Sequence, residues 1–345
     1  MKNRRSFLAA ALAGLTVAVT GCASAATTAT TTATTAAPAS SAAPATPTIG
    51  LTYIPNIQFS PFYVAESTGL FTAKGVKPTL RHHGASEGLF TALAAGQEDF
   101  VIAGGDEMLQ ARAEGADLIA IAAYYHTYPV VIIVPEASGI ASTADLRGKK
   151  IGLPGRYGES WFGLQVALKA AGLTQKDVSI EEIGYTQQAA LTTGKVDAIV
   201  GFANNDAVQF GLAGFKTRSL PLADKVPLVG ISLITSRAYA KANPETTRAV
   251  ADAMVAGVKA VVADPAAAVA ASVPYVPGLA AADAQKSARA TLDATVKVMA
   301  DPDGSVSGKL DPAAWTAMAA FMAEQGLTSS AQDPAAAMST EYVAN

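Results

Sequence analysis

Ala92-Leu93-Ala94-Ala95-Gly96-Gln97-Glu98-Asp99, followed by an apolar run at 100–103, returns later in the chain as Ala190-Leu191-Thr192-Thr193-Gly194-Lys195-Val196-Asp197, followed by 198–201. In both blocks a helix-forming stretch stops at glycine, the residue that closes a helix with positive φ at least steric cost. An aspartate then precedes a short apolar strand. Ile49-Gly50-Leu51 and Ile151-Gly152-Leu153 make a second matched pair upstream. Helix–glycine–strand junctions also arise by convergence, but two matched blocks at nearly equal offsets predict two structurally similar lobes.

Working outward, apolar strands are expected at 48–53, 77–82, 100–103 and 118–124. Helical stretches alternate with them, from about 62 and over 87–95 and 108–114. This βαβα rhythm predicts an α/β protein with parallel, twisted sheets covered by helices on both faces. Apolar strands at 130–134, ending at Pro135, and at 228–235 flank the second copy. They are read as two crossover strands that make lobe 2 (134–229) an insertion into lobe 1 (48–133 and 230–345). From 236 onward the chain is alanine-rich and helical in pattern. Asn243-Pro244-Glu245, Asp264-Pro265 and Asp311-Pro312 mark cap-plus-proline helix starts, and these helices are expected to pack on lobe 1.

The amino-terminal end speaks of export. Lys2, Arg4 and Arg5 precede an apolar run at 7–19 that is short for a membrane span but suits a signal peptide, taken as 1–21. Val19-Thr20-Gly21-Cys22 resembles a bacterial lipobox, with Val in place of the commoner Leu. Cys22, the single cysteine, is the expected lipidation site, and it leaves no partner for an internal disulfide or a cysteine-cluster metal site. The segment 22–47 then reads as lipidated cysteine plus a flexible Ala/Thr/Ser/Pro stalk, tethering the body to the outer face of the cell membrane. The composition is 50% hydrophobic and 15% charged with net charge -3, and no basic stripe suggests nucleic acid. No later apolar run reaches membrane-spanning length, so the chain is not expected to form a pore itself.

Tyr53-Ile54-Pro55-Asn56-Ile57-Gln58-Phe59-Ser60-Pro61-Phe62-Tyr63-Val64-Ala65 and Gly69-Leu70-Phe71-Thr72-Ala73-Lys74-Gly75-Val76 carry a family likeness. So do Asp145-Leu146-Arg147-Gly148-Lys149-Lys150-Ile151-Gly152, Tyr128-Pro129-Val130 and Gly194-Lys195-Val196-Asp197-Ala198. Over residues 48–325 the chain resembles the solute-binding family of ABC importers that includes bacterial binders of thiamine pyrimidine precursors. The resemblance implies the type II periplasmic-binding-protein fold, two doubly wound α/β lobes joined by two crossover strands. It also implies a binding role without catalysis, with a small-molecule ligand and an ABC permease in the membrane as partners. The pyrimidine binders carry Trp before the Pro-Asn pair, then a His and a Gly. Here those places hold Tyr53, Gln58 or Phe59, and Pro61, a pattern more like relatives associated with riboflavin uptake. Riboflavin is therefore the expected ligand, and a thiamine pyrimidine of the hydroxymethyl type the alternative.

In doubly wound sheets ligands sit beyond the carboxyl ends of the strands. That rule nominates 53–59, 104–107 and 124–128 in lobe 1, and 154–161, 185–187 and 202–206 in lobe 2. Tyr53, Phe59, Tyr125, Tyr128, Tyr157, Trp161 and Tyr185 are candidates for walls against a flat ring. Of the adjacent Tyr124 and Tyr125, at most one is expected to face the cleft, while Phe62 and Phe90 are read as core. Asn56, Gln58, Asn204 and Asn205 offer donors and acceptors to a heterocycle edge, with helix capping as the competing role. Asp106, Glu107, Glu159 and Ser160 face the same choice. No catalytic set is apparent. His82 and His83 are neighbours on a strand and point to opposite faces. His126 has no cysteine or acidic spacing that signals a metal, and eukaryotic relatives that make the pyrimidine use a cysteine-rich iron motif not found here. Gly-x-Ser-x-Gly and phosphate-loop motifs are likewise missing. No metal and no cofactor is expected.

Overall fold

Residues 43–84, 87–222 and 227–344 are described by the computed structural model. The expected signal peptide, Cys22 and most of the stalk lie outside them. The first lobe begins with β1 (Thr48–Leu51), α1 (Ser60–Ser67), α2 (Leu70–Ala73), β2 (Thr79–His82), α3 (Thr91–Ala94), β3 (Phe100–Gly104), α4 (Gly105–Ala113) and β4 (Leu118–Ala123). The second lobe holds β5 (Val130–Pro135), β6 (Lys150–Leu153), α5 (Gly158–Ala170), β7 (Ser179–Glu182), α6 (Gln187–Thr192), β8 (Ala198–Phe202), α7 (Asp206–Leu212) and β9 (Thr217–Leu220). The chain then returns through β10 (Ile231–Ser236) to α8 (Arg237–Ala242), α9 (Pro244–Ala263), α10 (Pro265–Ser272), α11 (Ala282–Met299), α12 (Pro312–Glu324) and α13 (Pro334–Ala337).

Both sheets have one plan: β2-β1-β3-β10-β4 in the first lobe and β7-β6-β8-β5-β9 in the second. The matched blocks occupy matching places, and the structure explains their letters. Asp99 Oδ2 accepts from Thr48 N–H at 2.8 Å, while its own N–H donates to Thr48 O at 2.9 Å. Asp197 repeats this clamp on Lys150, with both bonds at 2.8 Å. Gly96 (φ 68) and Gly194 (φ 71) supply the left-handed turns before the two clamps.

The sheets are mixed rather than wholly parallel. β10 runs antiparallel to β3 and β4, and β5 antiparallel to β8 and β9. Each is the strand that arrives from the opposite lobe, so it enters its sheet from the other end. This also moves the lobe boundary. The strand at 130–134, expected to bridge the lobes with the division after 133, pairs along the second sheet alone. An interior apolar strand needs both edges hydrogen-bonded, and β8 and β9 provide them. The chain crosses at 124–129 and re-enters the first sheet at β10.

Of the carboxyl-terminal helices, α9 and α10 pack on α1, α12 on α4, and α13 on β4. Asp264 and Asp311 cap α10 and α12 ahead of their first-turn prolines. Val250, Met254, Val258 and Val261 make the buried stripe of α9 at helical spacing. α11 departs from the expectation of packing on lobe 1 alone. Its Thr291 and Ser287 bond Gln209 of α7 at 2.8 and 2.9 Å, and its Thr295 bonds Asn204 at 3.0 Å.

Close packing of α9 on α1 rests on Gly257, where an added Cβ would stand 2.2 Å from the Pro61 carbonyl oxygen. Gly257→Ala is expected to destabilise the protein by about 1–3 kcal/mol. Gly211→Ala, in α7 with open space around the added carbon, should be neutral or stabilise by up to about 1 kcal/mol. Denaturant midpoints of the two variants check the contrast.

Candidate ligand cleft

The carboxyl ends of the strands in both lobes face one another across a cleft of about 910 Å³, its open mouth included. Lobe 1 contributes residues after β1, β2, β3 and β4, and lobe 2 residues after β6, β7 and β8. Tyr53 and Tyr185, one from each lobe, meet edge to face with ring centroids 4.5 Å apart. Burial raises the Tyr53 hydroxyl above its ordinary range and pushes Tyr185 to about 12. Phe59, Tyr125 and Tyr157 complete the ring-lined walls, and Gln58 and Asn205 add polar edges.

Tyr124 and Tyr125 both line the cleft, against the expectation that only one faces it. They lie beyond the end of β4, and both N–H groups donate to the Ile231 carbonyl at 2.9 Å. Strand alternation therefore does not separate them. Their rings stack with centroids 4.9 Å apart, and the Tyr124 hydroxyl donates to the Gln58 carbonyl at 2.5 Å.

The floor is acidic. Asp106, Glu107 and Glu159 bring carboxylate oxygens to within 4.8 Å of one another, and all three residues are buried. Asp106 accepts from the Tyr128 hydroxyl at 2.7 Å and from Glu107 N–H at 2.9 Å. Burial pushes its carboxyl up to about 6. Burial first, then repulsion between neighbouring carboxylates, holds Glu107 and Glu159 well above the usual range. Asp206, accepting from Phe202 N–H at 2.7 Å, is likewise pushed up by burial to about 6.

Other expected site residues stand elsewhere. Asn56 caps the turn before α1, its Oδ1 accepting from Gln58 N–H at 3.0 Å, and lines a separate hollow beside α11. Asp106 and Tyr128 sit behind the lining, bonded to each other. Trp161 packs against the core, with the Arg156 guanidinium 5.1 Å from its ring. Asn204 is buried against Thr295. Thr52, Glu87 and Leu89 line the cleft without having been foreseen. The latter two follow β2, and the strand-end rule applied to that strand would have found them. Beside them, Arg81 bonds Glu87 and Glu98 at 2.6 Å each, and His83 bonds Glu98 at 2.8 Å. His82 turns the other way, to the Tyr63 hydroxyl at 2.9 Å and the Tyr53 carbonyl at 3.0 Å.

Two lobes of this plan, with a cleft at the strand ends, define the periplasmic-binding-protein fold. The alkanesulfonate-binding protein SsuA from Xanthomonas axonopodis pv. citri, bound to MOPS, matches it with a TM-score of 0.67 at 24% identity, over 87% of this chain and 99% of that one. SsuA from Escherichia coli matches with a TM-score of 0.64 at 20% identity, over 84% and 96%. In sequence, residues 56–268 match the NMT1/THI5-like family. The riboflavin-binding protein RibY of Chloroflexus aurantiacus is 31% identical over 86% of this chain and 85% of its own length. The 4-amino-5-hydroxymethyl-2-methylpyrimidine phosphate synthase of Uromyces fabae is 26% identical over 59% and 63%. The chain belongs to the NMT1/THI5-like family.

The carboxyl cluster gives a pH signature. A carboxyl whose pKa is raised in the fold contributes stability at low pH that is lost as pH rises through the raised value. Glutamine mimics the protonated form, so Glu107→Gln/Glu159→Gln should melt near wild type at pH 5. It should gain on wild type by about 2–6 °C by pH 8. Calorimetry across that range checks the sign.

Proposed function

We propose that this protein is the solute-binding component of an ABC importer, capturing a planar vitamin, riboflavin foremost, and delivering it to a membrane permease. One observation carries the reading: rings from both lobes, Tyr53 and Tyr125 on one side, Tyr157 and Tyr185 on the other, wall the same cleft. Flat heteroaromatic guests are held by such walls. Each ring contact adds about 0.5–1.5 kcal/mol beyond area burial, and a few of them with cleft hydrogen bonds reach micromolar affinity, about -8 kcal/mol. The likeness to a riboflavin-binding protein over most of both chains supports the choice of ligand.

Hinge closure is the usual motion of two-lobed binders, and the crossing at 124–129 with the described residues 227–230 is where it would turn. Export by the signal peptide and anchoring through lipidated Cys22 complete the reading, placing the body outside the cell membrane. A thiamine pyrimidine is the second reading, supported by the likeness to pyrimidine phosphate synthases. Synthesis itself is disfavoured, because a chain with one cysteine has no cysteine-rich iron motif.

Riboflavin should raise the melting temperature of the purified protein and quench on binding. Tyr185→Ala should weaken it about 10-fold or more, whereas Trp161→Phe, away from the cleft, should stay within about twofold. A shift with hydroxymethylpyrimidine and none with riboflavin moves the assignment to the second reading. Absence of a shift with either removes both.

A further inference from the structure

Two helices begin at the cleft floor, α4 from lobe 1 and α5 from lobe 2. A helix start presents unpaired N–H groups and partial positive charge, and is a natural seat for an anion. Here the start of α4 is filled from within. Glu107 Oε2 accepts from Gly104 N–H at 3.0 Å, and Asp106 Oδ1 from Glu107 N–H at 2.9 Å. Glu159, in the first turn of α5, reaches over to the start of α4: a Cβ built on Gly104 would stand 2.7 Å from Glu159 Oε1. Glu107 Oε1 in turn lies 3.7 Å from where a Cβ of Gly158 would be. Each lobe thus covers the other lobe's helix start with a carboxylate.

Two oxygens of this floor lack a partner among the described residues. Glu107 and Glu159 are only 7% and 8% exposed, yet Oε1 of each accepts no hydrogen bond from a described residue, and both residues line the cleft. A buried acceptor without a donor is costly, and a guest that brings N–H or O–H groups relieves that cost. Glu87 and Asp206 add carboxylates to the lining, and among the described residues no lysine or arginine lines it.

We propose that this acidic floor restricts the cleft to ligands that are uncharged and carry N–H or O–H donors where they meet Glu107 and Glu159, and closes it to phosphorylated or sulfonated ones. The proposal rests on the reading of the cleft as a site for a small planar solute. Charge class is not dictated by the fold, since the proteins that share it include alkanesulfonate binders. Burial and mutual repulsion delay ionisation of the carboxyl cluster, so while protonated the floor both donates to and accepts from a neutral guest. As the pH rises and the cluster ionises, a phosphate at the same place meets like charge in a poorly solvated site.

Calorimetric titration of the purified full chain with riboflavin and flavin mononucleotide tests this. At pH 8 riboflavin should bind about 100-fold or more tightly than its phosphate, and Glu107→Gln/Glu159→Gln should narrow that ratio at least 10-fold. Hydroxymethylpyrimidine and its phosphate form a parallel pair. If only the pyrimidines bind, the riboflavin reading fails while the charge rule is still measured. Should neither pair bind, thermal shifts with inorganic phosphate and MOPS at millimolar concentration decide, with none expected. Equal affinity for a vitamin and its phosphate, an unchanged ratio in the glutamine variant, or a saturable shift with either anion would each overturn the proposal.

Discussion

An interior β-strand must find hydrogen-bond partners on both edges, and here each sheet takes one interior strand from beyond a crossing between lobes. β5 fills the gap between β8 and β9, and β10 the gap between β3 and β4. The first sheet is not complete until the chain has passed across and back. The two crossings touch, for an added Cβ on Gly230 would lie 2.1 Å from the Tyr125 carbonyl oxygen. This exchange holds the strand ends of one lobe opposite those of the other. The cleft is a consequence of that pairing rather than an addition to it.

What the cleft contains follows from the same geometry. Loops at strand ends bring aromatic rings to the walls, and helix starts bring polar backbone groups to the floor. The chain then places glutamates on those helix starts, where desolvation works against their charge and the backbone N–H groups work for it. The outcome is a site with aromatic sides and a floor whose carboxyls ionise above the usual range.

The fold was legible where a residue type serves one purpose. Gly96 and Gly194 need left-handed φ, and Asp99 and Asp197 clamp the start of a neighbouring strand, so the repeat could be read from letters alone. β5 was misplaced because an apolar run shows that a strand is buried without saying in which sheet. Within the site, Tyr53, Gln58, Phe59, Tyr125, Tyr157, Glu159, Tyr185 and Asn205 came together at the cleft. Asn56 and Asn204 did not, since the donors and acceptors that suit an amide to a ligand suit it equally to a cap or a neighbouring helix. Tyr128 and Asp106 satisfied each other instead. Such pairings depend on contacts between distant segments, which no local pattern announces.

The seam between α11 and α7 has a further consequence. It is joined through Gln209, Thr291, Ser287, Asn204 and Thr295, amides and hydroxyls without a formal charge. Bonds of this kind trade against water at a net gain of only about 1 kcal/mol each. Dissolved salt scarcely screens them, so a clasp of this composition parts and re-forms at small expense in brine and in fresh water alike.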